Sequence, residues 1–208
     1  MNNKLITHKI LCSETKVHNK KDQSEIDRCA LIIAGTRTFT SEIFLYQICK
    51  EIVDHQLNPS LIISGGAKGI DKLGEKWAEL YNVSVGVFPA RWGAYGKIAG
   101  HMRNNEMADQ GDVLLLLWDG KSSGSKQMLA AALQRKLMVV EVVLTVEVVE
   151  YVETPDVRLA TAIKTRMEKC GGYCPCDPTR DDDHKCPCLK MRNYGLCCCG
   201  LFVEKTWK

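Results

Sequence analysis

Residues 30–37, which read ALIIAGTR, decide the fold of the larger part of this chain. The apolar run from Ala30 to Ala34 has the length of a buried strand, and Gly35 ends it. Helical patterns separate this run from the apolar segments that follow it, so the chain predicts right-handed crossovers and a mainly parallel sheet. The later strands are predicted at Ser60 to Ser64, Val83 to Phe88, Val113 to Trp118 and Met138 to Val143.

Strands that are apolar throughout suit burial on both faces of a sheet. The sequence therefore predicts an α/β fold, a Rossmann-like parallel sheet with helices on both faces, over residues 29–150. Residues 1–28 are predicted as a partly disordered leader, in which residues 4–11 suit an extra strand and residues 13–23 suit a loop. The helices are predicted at Ser41 to His55, Ile70 to Tyr81, Lys97 to Ala108 and Lys126 to Lys136.

The composition is that of a soluble globular protein, with 45% hydrophobic and 25% charged residues and a net charge of +3. This balance gives no strong signal for nucleic acid or membrane. The apolar runs fall short of the roughly 20 residues of a membrane span. The polar, basic start lacks a signal-peptide pattern, which favours a cytoplasmic location.

Cysteine is distributed unevenly, because eight of the 11 cysteines lie between Cys170 and Cys199. In a reducing compartment, a cysteine-dense tail favours metal or redox chemistry over structural disulfides. Thr154 to Asp156 is predicted as a boundary, followed by an amphipathic helix from Asp156 to Lys169. Residues 154–208 are therefore predicted as a small, mainly helical C-terminal domain.

Glycine-rich turns follow three of the predicted strands, where the backbone can approach an anion at a helix N-terminus. Three such turns at one end of a sheet favour a phosphate-bearing ligand, although each alone could simply be a tight turn. No P-loop motif is present, so a kinase or ATPase is disfavoured. The candidate ligand-binding residues are Gly35, Thr36, Arg37, Ser64, Gly65, Gly66, Lys68, Asp71, Arg103, Asn104, Asp119, Gly120, Gly124 and Ser125.

Further motifs lie in order along this domain: Gly35-Thr36-Arg37, Ser64 to Asp71, Trp77-Ala78, Phe88-Pro89-Ala90, Trp92, Gly96-Lys97, Ala99-Gly100, Arg103-Asn104 and Met107. Over residues 31–143 this order resembles the SLOG superfamily, in particular its small single-domain branch related to the LOG and DNA-processing A proteins. The resemblance implies a Rossmann-like domain that binds a nucleotide or nucleotide-derived ligand. The chain departs from the branch at Arg91, His101 and Ser125, and it lacks the glycine-rich glutamate motif of the phosphoribohydrolase members.

The tail carries three Cys-x-Cys units, at Cys174-Pro175-Cys176, Cys186-Pro187-Cys188 and Cys197-Cys198-Cys199. Thiolates at this density select zinc or iron–sulfur. Structural zinc sites usually use Cys-x2-Cys knuckles, whereas a four-cysteine iron–sulfur cluster leaves cysteines over for chemistry.

Over residues 157–203 this pattern resembles the catalytic chain of ferredoxin:thioredoxin reductase. The resemblance implies a 4Fe-4S cluster held by Cys174, Cys186, Cys188 and Cys197. It further implies a redox-active disulfide between Cys176, the more exposed partner, and Cys199. Cys198 stands where the family has a histidine associated with proton handling, so Cys198 is a third catalytic candidate.

The leading hypothesis is a cluster-dependent disulfide reductase coupled to a nucleotide-binding domain. The implied partners are a ferredoxin- or flavodoxin-type electron donor, a thioredoxin- or glutaredoxin-like acceptor and a nucleotide-like small molecule; self-association is left open. A redox or nucleotide sensor without turnover is the alternative, and a zinc-stapled tail is a third. Cys170 is either a spare thiol or a bystander at a helix end.

Overall fold

The computed structural model of the chain describes residues 5–176, 185–187, 197 and 199–204. It confirms the predicted α/β class, with one mixed and mostly parallel seven-stranded sheet. The strands are β1 (Leu5–His18), β2 (Asp27–Gly35), β3 (Asn58–Ser64), β4 (Ser84–Val87), β5 (Val113–Trp118), β6 (Met138–Glu153) and β7 (Phe202–Glu204).

The helices alternate with the strands as the apolar spacing predicts. Among the residues described, no helix is both long enough and apolar enough to cross a membrane. The helices are α1 (Gln23–Ile26), α2 (Glu42–Asp54), α3 (Ile70–Leu80), α4 (Trp92–Tyr95), α5 (Ala99–Gln110), α6 (Ser123–Gln134) and α7 (Val157–Lys169), with a 3-10 turn at Gly96–Ile98.

The strand order is β1-β6-β5-β2-β3-β4, and β7 pairs with β6. The pairs β2–β3, β3–β4, β2–β5 and β5–β6 are parallel, whereas β7 lies antiparallel to β6. From β2 the chain winds outward to β3 and β4, and then returns to the other side of β2 to add β5 and β6. The topological switch point therefore lies between β2 and β5, where open α/β sheets bind their ligands.

Alternating residues of β2 show that helices cover both faces of the sheet. Ile33 lies against Gly74 of α3, where any added Cβ would press on its side chain. Its neighbours Ile32 and Ala34 point the other way, into an apolar cluster that includes Met107 of α5 and Ala132 of α6. The predicted two-sided helical covering is therefore present.

Strand β1 is longer than the sequence indicates, because it continues through residues 13–18, where a polar loop is predicted. The extension of β1 is explained by hydrogen bonds at its C-terminal end, to partners more than 100 residues away along the chain. His18 Nε2 lies 2.8 Å from the Glu141 carboxylate, and Asn19 Nδ2 donates to the Leu137 carbonyl at 3.0 Å. The Glu141 carboxylate also accepts from Trp118 Nε1 at 3.2 Å.

By internal contacts the chain divides into two units, residues 12–145 and residues 1–11 with 146–208. In the second unit, α7 begins directly after Asp156, at the predicted helix start. The Asp156 carboxylate caps the helix, because it accepts from the Leu159 N–H at 3.0 Å. A small apolar cluster joins β6, α7 and the segment around β7; its buried members are Val149, Tyr151, Ile163, Leu201 and Phe202. Much of the predicted helical C-terminal domain falls on residues outside those described.

Candidate functional site

The carboxyl ends of β2 and β5 are joined closely in the unit of residues 12–145. The Thr36 N–H donates to the Leu117 carbonyl at 3.1 Å, and the Asp119 N–H donates to Thr36 Oγ1 at 3.2 Å. Gly35 lies so near the Leu117 carbonyl oxygen that a Cβ at this position would overlap it. The glycine is therefore required here by close approach of two backbones.

Two cavities open at this edge of the sheet. The first, of about 400 Å³, is lined by seven of the predicted residues: Gly35, Arg37, Asp71, Arg103, Asn104, Gly124 and Ser125. The second, of about 560 Å³, is lined by Gly65, Gly66 and Lys68, and also by Arg37 and Arg103. These volumes lie in the range of small-molecule sites.

Four predicted residues, Thr36, Ser64, Asp119 and Gly120, do not line either cavity. Ser64 is buried; its hydroxyl donates to Glu75 at 2.7 Å and accepts from the Gly66 N–H at 3.0 Å. Asp119 accepts from the N–H groups of Lys121 and Ser122 at 3.0 and 2.8 Å. In this structure these polar groups hold the loops that form the cavity walls.

Arg103 of α5 and Asp71, in the first turn of α3, form a buried charged pair. Their nearest charged atoms, Arg103 Nη1 and Asp71 Oδ2, lie 3.8 Å apart. Arg103 also donates from Nη1 to the Gly65 carbonyl and from Nε to Asn104 Oδ1 at 2.9 Å. Much of the hydrogen-bonding capacity of Arg103 is thus engaged within the protein.

The Asp71 carboxyl is the most perturbed acid of this site. Burial raises its pKa from 3.8 to about 6, against the opposing effects of the Arg103 charge and of the N–H groups of Ala67 and Gly35. Burial also lowers the pKa of Arg103, with Asp71 acting against that shift and Arg37 adding to it. A buried acid that titrates near neutrality suits proton exchange with a ligand.

We expect this acid to make folding stability depend on pH. Between pH 3.8 and about 6, folded Asp71 holds a proton that the unfolded chain has released. The free energy of unfolding should therefore fall as pH rises through this window, by up to about 3 kcal/mol. Urea unfolding of the wild-type chain and of Asp71→Asn across the window measures the difference. Parallel pH profiles for the two proteins would contradict the prediction.

Five further polar residues line the first cavity although they are not among the candidate ligand-binding residues predicted from the sequence: Thr38, Lys97, His101, Ser122 and Ser123. The helical spacing i, i+4, i+7 relates Lys97, His101 and Asn104, so the three lie on one face. Asn104 is predicted to bind a ligand, and the same face would have indicated Lys97 and His101 as well. Ser122 and Ser123 begin helix α6, where the first N–H groups of any helix lack intrahelical partners.

A second candidate site lies in the other unit, where cysteines from separate segments meet. The Sγ atoms of Cys174, Cys176 and Cys199 all lie within 4.8 Å of one another. Cys174 is buried and Cys176 is exposed. In the same segment, Cys197 Sγ lies 3.5 Å from Cys199 Sγ and accepts from the Phe202 N–H at 3.3 Å.

Local contacts bring these cysteines together at the edge of the apolar cluster around Phe202. Tyr173 and Lys185 form an antiparallel bridge, and the Cys186 N–H donates to the Gly172 carbonyl at 3.1 Å. Cys186, Cys197 and Cys199 pack against the cluster. Burial raises the pKa of the Cys199 thiol well above its ordinary value, and neighbouring Cys197 and Cys176 raise it further.

The three grouped thiols can hold a metal ion, because thiolates are strong ligands for soft metals. This group combines cysteines with two different predicted roles. Cys174 is a predicted cluster ligand, whereas Cys176 and Cys199 are the predicted redox pair. Two further candidates, Cys188 and Cys198, lie outside the described residues. The individual roles of the cysteines stay predictions.

Comparison with known proteins finds similarity to the Gene 61 protein of Mycobacterium phage D29. The two are 29% identical over 108 residues, which cover 49% of this chain and 86% of the phage protein. The name of that protein states no activity. No protein-family profile matches the chain, and no solved structure is significantly similar to it.

Proposed function

We propose that the chain is an iron–sulfur disulfide reductase whose α/β unit binds a nucleotide or nucleotide-derived ligand. The observation that carries the proposal is the meeting of Cys174, Cys176 and Cys199 within 4.8 Å, although Cys199 is more than 20 residues further along the chain. A purely structural metal site has no need of an exposed thiol, whereas thiol–disulfide exchange requires one.

The donors near this point suit a soft metal centre. Within the part of the chain that the structure describes, the grouped ligand atoms are all sulfur, and the apolar cluster lies beside them. Such a shell limits water around a metal centre and tunes its potential. By the family resemblance, Cys174, Cys186, Cys188 and Cys197 would hold a 4Fe-4S cluster. When bound, a cluster of this type supplies single electrons.

The protein's own thiols then carry out the exchange. The exposed Cys176 thiolate attacks one sulfur of a substrate disulfide, forms a mixed disulfide and releases the other substrate sulfur as a thiolate. Cys199 attacks Cys176 Sγ, from within 4.8 Å in the dithiol state, and releases the second substrate thiolate. The substrate gains two electrons and the protein is left with a Cys176–Cys199 disulfide.

Two electrons must return to this disulfide before another turnover. A ferredoxin- or flavodoxin-type protein is the proposed donor because it delivers electrons singly, and a cluster held by Cys174, Cys186, Cys188 and Cys197 would supply one-electron chemistry to match. A thioredoxin- or glutaredoxin-like protein is the proposed acceptor because its disulfide is accessible to an exposed thiolate. The two cavities at the carboxyl edge of the sheet, with Arg37, Lys68 and Arg103 in their walls, support the nucleotide part of the proposal.

The test is metal analysis of protein purified without oxygen. We expect about four irons and four acid-labile sulfides per chain, with a broad absorption band at about 400 nm that dithionite bleaches. Zinc at one per chain without sulfide, reproduced after attempted cluster reconstitution, would contradict the proposal.

Structural zinc is the second candidate, and the sulfur spacing favours it. Four thiolates around one zinc ion, each at about 2.3 Å from the metal, lie about 3.8 Å apart. A mutual spacing within 4.8 Å is compatible with that geometry. The same metal analysis separates the two candidates, because zinc sites contain no sulfide.

A further inference from the structure

Trp92 stands at the wall between the two cavities of the α/β unit. It lines both of them, and 53% of its surface is exposed. Trp77 and Trp118 differ, because each is only 6% exposed and belongs to the core. An exposed indole on a cavity wall offers a flat π surface to whatever enters.

The indole is held at one edge. A Cβ added at Gly100 of α5 would lie 3.2 Å from Trp92 Cη2, with Cζ3 and Cζ2 next at 3.9 and 4.0 Å. The benzene edge of the ring therefore rests on α5 at a position without a side chain. The backbone is also fixed, because the Trp92 N–H donates to the Ala90 carbonyl at 3.0 Å. The backbone bond and the contact with α5 both restrict the ring before any ligand binds.

Positive charge surrounds this ring. Arg37 and Arg103 line both cavities together with Trp92. Lys68 and Lys72 line the second cavity, where the described lining residues include no carboxylate. Arg103 is engaged by Gly65, Asn104 and Asp71, and Lys72 lies 2.6 Å from Glu75. Within the described residues, exposed Arg37 has no hydrogen-bond or ion-pair partner. Because Arg37 also lines both cavities beside Trp92, and a guanidinium can pair with phosphate in bidentate fashion, Arg37 is the proposed phosphate partner.

We propose that Trp92 determines specificity at this site by stacking on a nucleobase. The ligand is then a nucleoside phosphate whose base lies on the indole and whose phosphate pairs with Arg37. The inference rests on the proposed nucleotide site and adds which end of the ligand each residue recognises. Proteins hold single-stranded nucleic acids by stacking bases on aromatic rings and placing cations along the phosphates, and the same two contacts suit a single nucleotide.

The experiment is calorimetric titration of the full chain with AMP, GMP, CMP, UMP and ribose 5-phosphate. At least one nucleotide should bind roughly tenfold or more tightly than ribose 5-phosphate, which has no base to stack. Trp92→Ala should bring that nucleotide to the affinity of ribose 5-phosphate, whose own binding stays unchanged, while Trp92→Phe keeps most of the preference. Arg37→Gln should weaken nucleotide and sugar phosphate by the same factor.

Two outcomes would overturn the inference in distinguishable ways. If ribose 5-phosphate binds as tightly as every nucleotide, or if Trp92→Ala weakens both alike, the stacking role fails while the phosphate site stands. If none of the five compounds binds to wild-type protein, both the inference and the nucleotide part of the proposed function fail. Thermal unfolding of each variant shows that the fold is retained, which we expect because Trp92 and Arg37 are exposed.

Discussion

Cys176→Ser and Cys199→Ser should each lower the rate of substrate-disulfide reduction at least about a hundredfold, to background. A serine hydroxyl at Cys176 is not a nucleophile toward a disulfide. Without Cys199, the mixed disulfide on Cys176 lacks its resolving thiol, because the other nearby sulfur, that of Cys174, is a proposed cluster ligand. The assay follows the free thiols of oxidised thioredoxin by alkylation, with reduced ferredoxin as electron donor.

The two variants should differ in what they trap. Cys199→Ser is expected to accumulate a covalent adduct with thioredoxin on Cys176, visible on a non-reducing gel, whereas Cys176→Ser is not. The asymmetry follows from exposure, since Cys176 is exposed and Cys199 is partly buried. An adduct that forms in Cys176→Ser and is absent from Cys199→Ser would reverse the assigned roles.

Cys170→Ser is the matched control, because Cys170 lies at the end of α7 and outside the three-sulfur group. Its activity should stay within about twofold of wild type. Iron content of the Cys176 and Cys199 variants gives an independent readout. A variant that keeps its full iron content but loses activity supports the reductase. A variant that loses its metal instead indicates that the substituted cysteine is a metal ligand. A sensor would keep its redox response in both variants, because only cluster ligands are needed for it.

Gly35→Ala should lower the free energy of unfolding of the α/β unit by about 3 kcal/mol or more, because the new methyl group does not fit between two closely packed backbones. The added Cβ would overlap the Leu117 carbonyl oxygen and also meet a side-chain carbon of Ile70. A carbonyl in the centre of a parallel sheet cannot move aside without breaking the β2–β5 pairing. Guanidinium unfolding followed by the fluorescence of buried Trp77 and Trp118 measures the loss.

Gly124→Ala is the matched control for that prediction. Gly124 lies in α6 and lines the first cavity, and a Cβ there would meet nothing within 4 Å. Alanine in place of glycine in a helix should leave stability unchanged or raise it by up to about 1 kcal/mol. If Gly35→Ala lowers the free energy of unfolding no more than Gly124→Ala does, the backbones at the β2–β5 junction move apart at little cost and the prediction is wrong.

Local pattern was sufficient to predict much of this protein. The apolar run before Gly35, the helical spacing between strands and the glycine-rich turns indicate a doubly wound sheet and the edge at which its cavities open. These signals are readable because strand burial, helix periodicity and turn geometry each depend on neighbours within a few residues. The density of cysteines after Cys170 likewise indicated metal or redox chemistry before any contact was known.

Other features depend on residues far apart in the chain, and only the folded structure decides them. Strand β1 continues to His18 because Glu141 and Leu137 provide its partners. Arg103, predicted as a phosphate ligand, donates to the Gly65 carbonyl instead of standing free. The pKa of Asp71 rises because folding buries it. Burial, desolvation and long-range hydrogen bonds arise from tertiary packing. The spacing of residues along the sequence therefore does not predict them.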